Sequence, residues 1–170
     1  MKQSERLKAA AVFDNDASGN FERVALGEEV TRMGLGNCGL KAFQLPVPLR
    51  LRSLVQKGFN VSVDLEAYYS DAMWDRAVER GWLEPVADLA GLLSTNLLNQ
   101  MAAGGTNPFS ELEEGDALRL QQKFGDRGKR QASRAIGRMR QVEAERELEN
   151  FRPVIEKLRA HLFPAPAAAE

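Results

Sequence analysis

Arginine offers oxyanions a planar, permanently charged fork of donors, suited to bidentate contact with phosphate or carboxylate. This chain sets arginines at positions 127, 130, 134 and 138, at steps of three, four and four. On a helix those steps form one stripe. Lys123, Lys129 and Arg140 lie in the same stretch, and residues 119–140 together hold eight basic residues against the single acid Asp126. The local balance is +7, against −6 for residues 1–118, −2 for residues 141–170 and −1 for the whole chain. A near-neutral protein has concentrated its positive charge in one short segment. Like charges at three- and four-residue spacing cost an isolated helix a few tenths of a kcal/mol per pair, so the pattern calls for an offsetting partner. Phosphates of a nucleic acid are the chemistry this segment predicts, with Lys123, Arg127, Lys129, Arg130, Arg134, Arg138 and Arg140 as the contact residues. The small residues Gly128, Ala132, Ser133, Ala135 and Gly137 would let a large partner approach the backbone.

Two rival readings use the same charges. Acids at 111–116 and 143–149 flank the block, so pairs such as Arg140–Glu143 or Arg138–Glu145, or a fold-back of 111–116, would neutralise it internally. An acidic protein surface is the other alternative. No aromatic interleaves the block beyond Phe124, which argues against recognition of single strands by base stacking.

The remaining chemistry-bearing residues carry less. No nucleophile elbow, P-loop or kinase string occurs, so a non-enzymatic protein without cofactor is expected. One cysteine, Cys38, and one histidine, His161, exclude the common Cys/His zinc arrangements by count, and Cys38 reads as an inert thiol. The string from Gly34 to Gly39 matches GxGxxG, yet it follows a polar, helix-like stretch and precedes Pro46 and Pro48, so it reads as a glycine-rich turn. Asp14, Asn15 and Asp16 resemble the start of a calcium loop, but position 25 is Ala where the closing glutamate belongs. Asp71, Asp75 and Glu79 share a helical face, which reads as a solvated row; no metal is expected.

The elements that must position these residues are mainly helical. Short apolar runs at 10–13 and 21–26 around the Asx/Gly cluster 14–20 predict a β-hairpin. Residues 3–11 read as a short helix or its first strand. Helices are predicted over 27–33, from Pro46 and Pro48 to Lys57, and over 64–80, where Leu65, Tyr68, Tyr69, Ala72, Met73, Ala77 and Val78 recur at helical spacing. The rhythm of 49–83 resembles a helix-turn-helix, but the acids Asp64, Glu66, Asp71, Asp75 and Glu79 on its second helix speak against a DNA-reading role. A third helix from Pro85 to Met101, with Leu89, Leu92, Leu93, Leu97 and Leu98, is expected at the centre of the core. Ser110 and Glu113 make a capping-box signature. From about Lys129 a long helix reaches Leu162, kinked or divided by Pro153 near Arg152.

The fold class expected is therefore mainly α: a helical core with a small N-terminal β-hairpin over 1–102, a linker at 103–110, a long C-terminal helical arm over 111–163 and a disordered tail at 164–170. The apolar fraction of 44% suffices for a packed core. No apolar run approaches the length of a membrane span and no export signal is evident. Ala/Arg/Leu-rich usage suggests a bacterial source. Function is expected to be that of a cytoplasmic, non-enzymatic accessory protein contacting nucleic-acid phosphates. The alternative is a protein–protein adaptor, inhibitor or assembly subunit, docking or self-associating through an apolar C-terminal seam from Leu148 to Leu162.

Overall fold

Asp16 decides where the first helix begins. Its carboxylate accepts the Gly19 N–H at 2.7 Å, the geometry of an N-cap. Helix α1 then runs Ala17–Arg32, so residues 21–26 are helical and not the second arm of a hairpin. The Asx-rich cluster signals a turn and a helix cap equally well, and here it caps. Strand β1 (Ala9–Phe13) pairs instead with β2 (Leu40–Gln44), in parallel, from Ala9 opposite Leu40 to Phe13 opposite Gln44. Parallel neighbours need a crossover of a dozen or more residues, and α1 supplies it. The computed structural model describes residues 8–35 and 39–164. The readings placed on Cys38, on Gly36 of the glycine string, on the start of segment 3–11 and on tail residues 165–170 lie outside the described residues.

The chain forms two compact units, one of residues 1–46 with 151–170 and one of residues 47–150. In the first, the C-terminal helix α8 (Arg152–Leu162) packs on β1. Pro153 lies in its first turn, where a missing N–H costs nothing, so the division expected near Arg152 is found there. His161 presents Nε2 to the carbonyl oxygens of Ala9 at 3.0 Å and Gly39 at 3.2 Å. Two carbonyl acceptors require a proton on that nitrogen. The ring also meets Phe43 edge-on at 5.6 Å. The only histidine is thereby committed to holding the ends of the parallel pair.

The second unit is a succession of short helices. A 3-10 turn at Leu49–Leu51 leads into α2 (Arg52–Gln56), and Gly58, at φ +93°, ends it. The single helix expected over 64–80 is two elements. Asp64 caps a 3-10 turn at Leu65–Tyr68, Tyr69 is extended, and Ser70 caps α3 (Asp71–Glu79) by accepting the Met73 N–H at 3.1 Å. Two good N-cap residues six apart divide what the apolar spacing alone would join. Pro85 does not open a helix. It ends strand β3 (Leu83–Pro85), which pairs antiparallel with β4 (Gln122–Phe124), a two-stranded edge position that proline tolerates. Leu92 and Leu93 are buried, but α4 (Thr95–Ala102), expected at the core centre, has no buried residue.

Segment 103–110 lies within this unit. Asn107 caps a turn at Pro108–Glu111, and the Ser110 hydroxyl donates to the Asn107 carbonyl at 2.6 Å, so the Ser110–Glu113 capping box does not form. Helix α5 (Glu114–Gln121) starts after Glu113, with Glu114 and Asp116 in its first turn. The long helix expected from Lys129 to Leu162 is divided into α6 (Asp126–Ile136), α7 (Gln141–Glu147) and α8. Gly137 ends the first, and the Glu143 carboxylate caps the second by accepting the Arg140 backbone N–H at 3.2 Å.

The core of the second unit gathers Leu51, Leu54, Val63, Tyr68, Met73, Trp74, Leu120 and Phe124. The protein is mainly α, with a short N-terminal strand pair and a C-terminal helix. Among the described residues no helix is long and apolar enough to cross a membrane.

Candidate nucleic-acid interface

Helix α6 is divided lengthwise by residue size and charge. Gly128 and Ala132 are buried, and Gln131, Ala135 and Ile136 are half-buried. Arg127, Arg130 and Arg134 are exposed along the opposite side, with Arg138 exposed in the turn that follows. The inward positions 128, 132 and 135 and the outward positions 127, 130 and 134 each repeat at helical spacing.

The start of α6 is held by the small sheet. Leu83 stands opposite Phe124, and the Gly125 N–H donates to the Trp82 carbonyl at 3.2 Å. Gly128 then passes against that same carbonyl, so closely that a β-carbon there would lie 2.1 Å from the oxygen. Gly128 thus admits the protein's own backbone, where the sequence suggested room for a partner, while Ser133 and Gly137 remain exposed.

Lys129 points from α6 the other way, to Asp64 at 3.3 Å and Glu66 at 3.2 Å. Burial raises the Glu66 carboxyl above its ordinary value, and Asp64 adds to this while Lys129 opposes it. Burial works against the Lys129 ammonium, but Asp64 and Glu66 together outweigh it and hold the group above its usual range. Burial also pushes the adjacent Tyr69 hydroxyl up to about 12, with Glu66 and Asp64 contributing. A raised folded-state value at Glu66 means that the folded protein binds this proton more readily than the unfolded chain. Its contribution therefore increases stability as pH falls from neutral through the folded value, and levels off below the unfolded value. Urea midpoints measured from pH 7 downward should show the wild type gaining on Glu66→Gln as pH falls; a difference independent of pH is the contrary result.

The seven residues assigned from sequence fall into two groups. Lys123 faces Glu84, its cross-strand neighbour, at 3.5 Å. Lys129 is held as described, and Arg140 pairs with Glu143 at 2.6 Å. Arg127, Arg130, Arg134 and Arg138 form no ion pair among the described residues. Of the suggested internal pairs, Arg140–Glu143 is present, whereas Glu145 accepts from the Gln141 amide at 2.7 Å and not from Arg138.

Arg119, the eighth basic residue of the block, is turned inward. It donates to Asp71 at 2.5 Å and to the Gly115 carbonyl at 2.9 Å, and its guanidinium lies 5.3 Å from the centre of the Trp74 ring. Arg50 reaches the same Asp71 carboxylate at 2.5 Å and donates to the Ala67 and Tyr69 carbonyls. Asp71 thus bridges two guanidinium groups while staying exposed to solvent, as Asp75 and Glu79 on the same helix are. Asp71 and Arg119 are 48 positions apart, and no local spacing signals that pairing. Among the described residues, no group of three or more His, Cys, Asp or Glu gathers as metal ligands.

Fold and site together define a mainly helical protein that displays a short row of unpaired arginines on one helix of its second unit. Comparison with protein-family models, with curated proteins and with solved structures finds no match.

Proposed function

We propose that the protein is a non-enzymatic accessory factor that contacts nucleic-acid phosphates through Arg127, Arg130, Arg134 and Arg138. One observation carries the reading. The fold neutralises half of the basic block internally and leaves these four guanidinium groups exposed and, among the described residues, without an ion pair. Three of them are spaced along one side of α6, whose other side is packed, so their geometry is preset before a partner arrives. A planar guanidinium also loses less freedom per hydrogen bond formed with an oxyanion than a lysine ammonium does.

The test is the salt dependence of binding to nucleic acid, followed by fluorescence anisotropy. Each phosphate contact contributes about −0.9 to the slope of log K against log salt on a duplex, and non-specific dissociation constants at physiological salt are about 10⁻⁴–10⁻⁶ M. Arg130→Ala with Arg134→Ala should flatten the slope by about two units and leave the fold intact, because both side chains are exposed. An unchanged slope in the double variant overturns the assignment.

A second reading, a protein–protein adaptor, inhibitor or assembly subunit, is favoured by a different observation. In the first unit Phe21 of α1 and Phe163 after α8 are each 74% exposed, and Val24 is exposed one turn beyond Phe21. Within the C-terminal seam Ile155 is exposed, while Val154 is buried and Leu158 and Leu162 are half-buried. Light scattering of the wild type beside Phe21→Ser separates this reading: a concentration-dependent dimer lost in the variant supports self-assembly.

A further inference from the structure

The aromatic residues of the second unit restrict which nucleic acid its arginine row can hold. Proteins that track single strands without sequence preference combine a basic groove with exposed aromatic rings on which successive bases stack. Phe59, Tyr68, Tyr69, Trp74 and Phe124 are all buried, and Trp82 and Phe109 are half-buried. Phe124, the one aromatic inside the basic block, is 2% exposed and lies edge-on between Tyr69 and Trp74. No aromatic ring of this unit is exposed beside α6 as a platform. The helix also lacks a base-reading amide on its outer side, since its one amide, Gln131, is half-buried. The exposed guanidinium forks meet phosphates at every step of a nucleic acid, whereas guanine edges, their other bidentate acceptor, occur only at some.

Contact of that kind gains most where phosphates are densest and already fixed in position. A double helix carries one charge per about 1.7 Å of axis and releases about 0.9 counterion per contact, against about 0.7 on a single strand. It also keeps its bases stacked without help, so the protein need not supply that stacking. We infer that the partner of the α6 row is the backbone of a double-stranded nucleic acid, bound without regard to sequence. This inference rests on the phosphate-contact reading above.

The experiment uses the full chain with four fluorescein-labelled probes: two short DNA duplexes of unrelated sequence, an RNA duplex, and one of the component DNA strands alone. Titrations at several salt concentrations should give the two DNA duplexes dissociation constants within about twofold of each other. The single strand should bind at least about fivefold more weakly and with a shallower slope. The DNA and RNA arms then show which helix geometry suits the row better, and tight binding to either supports the inference. Equal or tighter binding of the single strand overturns the duplex inference while leaving phosphate contact standing. A strong preference between the two DNA sequences overturns its sequence independence. Absence of binding to every probe at low salt overturns the parent reading itself. Arg130→Gln with Arg134→Gln should weaken the duplex arm, whereas Arg32→Gln, an exposed arginine on α1, should not.

Discussion

Gly128→Ala should destabilise the second unit by about 3 kcal/mol, the upper part of the range for overpacking a fitted interior. A β-carbon at this position would lie 2.1 Å from the Trp82 carbonyl oxygen and 2.9 Å from its carbonyl carbon. Both are backbone atoms. The Trp82 carbonyl also accepts the Gly125 N–H, at the junction where β3, β4 and the start of α6 meet. It cannot withdraw without disturbing that hydrogen bond, so the helix must shift and carry its arginines with it. The neighbouring glycine supplies the control. The atoms nearest a β-carbon at Gly125 belong to the Glu84 side chain, with the carboxylate at 2.6 Å, and that flexible, half-exposed side chain can swing aside. Gly125→Ala should therefore cost well under 1 kcal/mol. Both tryptophans of the chain, Trp74 and Trp82, lie in the second unit, so urea unfolding followed by their fluorescence reports on it directly. For a unit of this size the Gly128 variant should melt roughly 14 °C lower. Equal midpoints for the two glycine variants would refute the close approach.

The same pair of glycines shows where sequence reasoning reaches its limit. Helical content is legible because apolar residues recur at three and four positions, and the stops at Gly58 and Gly81 are legible because both take positive φ after a short helix. Pro153 marks the start of α8 for an equally local reason. The parallel pairing of β1 with β2 is not legible. It joins segments separated by a sixteen-residue helix whose capping aspartate also suits a hairpin turn.

The site divides in the same way. Charge and spacing identify the basic block, but which of its members remain unpaired depends on distant partners. Lys129 finds Glu66, Arg119 finds Asp71 and Lys123 finds Glu84, each a tertiary accident of the fold as far as local spacing is concerned. Small residues in a basic segment are ambiguous for a related reason. They permit close approach, and only the packed structure shows whether the approaching group is a ligand or, as at Gly128, the protein's own backbone.

Phe124→Ala should cost about 3–5 kcal/mol, the range for deleting a fully buried aromatic ring. Phe124 is 2% exposed, and its ring meets Trp74 at 5.1 Å and Tyr69 at 5.5 Å, both close to perpendicular. Edge-to-face pairs add about 0.5–1.5 kcal/mol each beyond the area they bury. Phe124→Leu keeps most of the volume and should cost much less, about 1–2 kcal/mol. The milder variant also tests function. Phe124 is the one aromatic inside the basic block, and a base-stacking role would make it a principal contact for single strands, at about 1–3 kcal/mol per stacked base. Its place in the core predicts the opposite. Phe124→Leu, assayed where it is fully folded, should bind duplex and single-stranded probes as the wild type does. A selective loss of single-strand affinity would mean that the ring leaves the Tyr69–Trp74 pocket to meet a base, and the duplex inference would fall with it. Unchanged binding together with a lowered unfolding midpoint would assign Phe124 to the support of α6 and leave the recognition to the arginines.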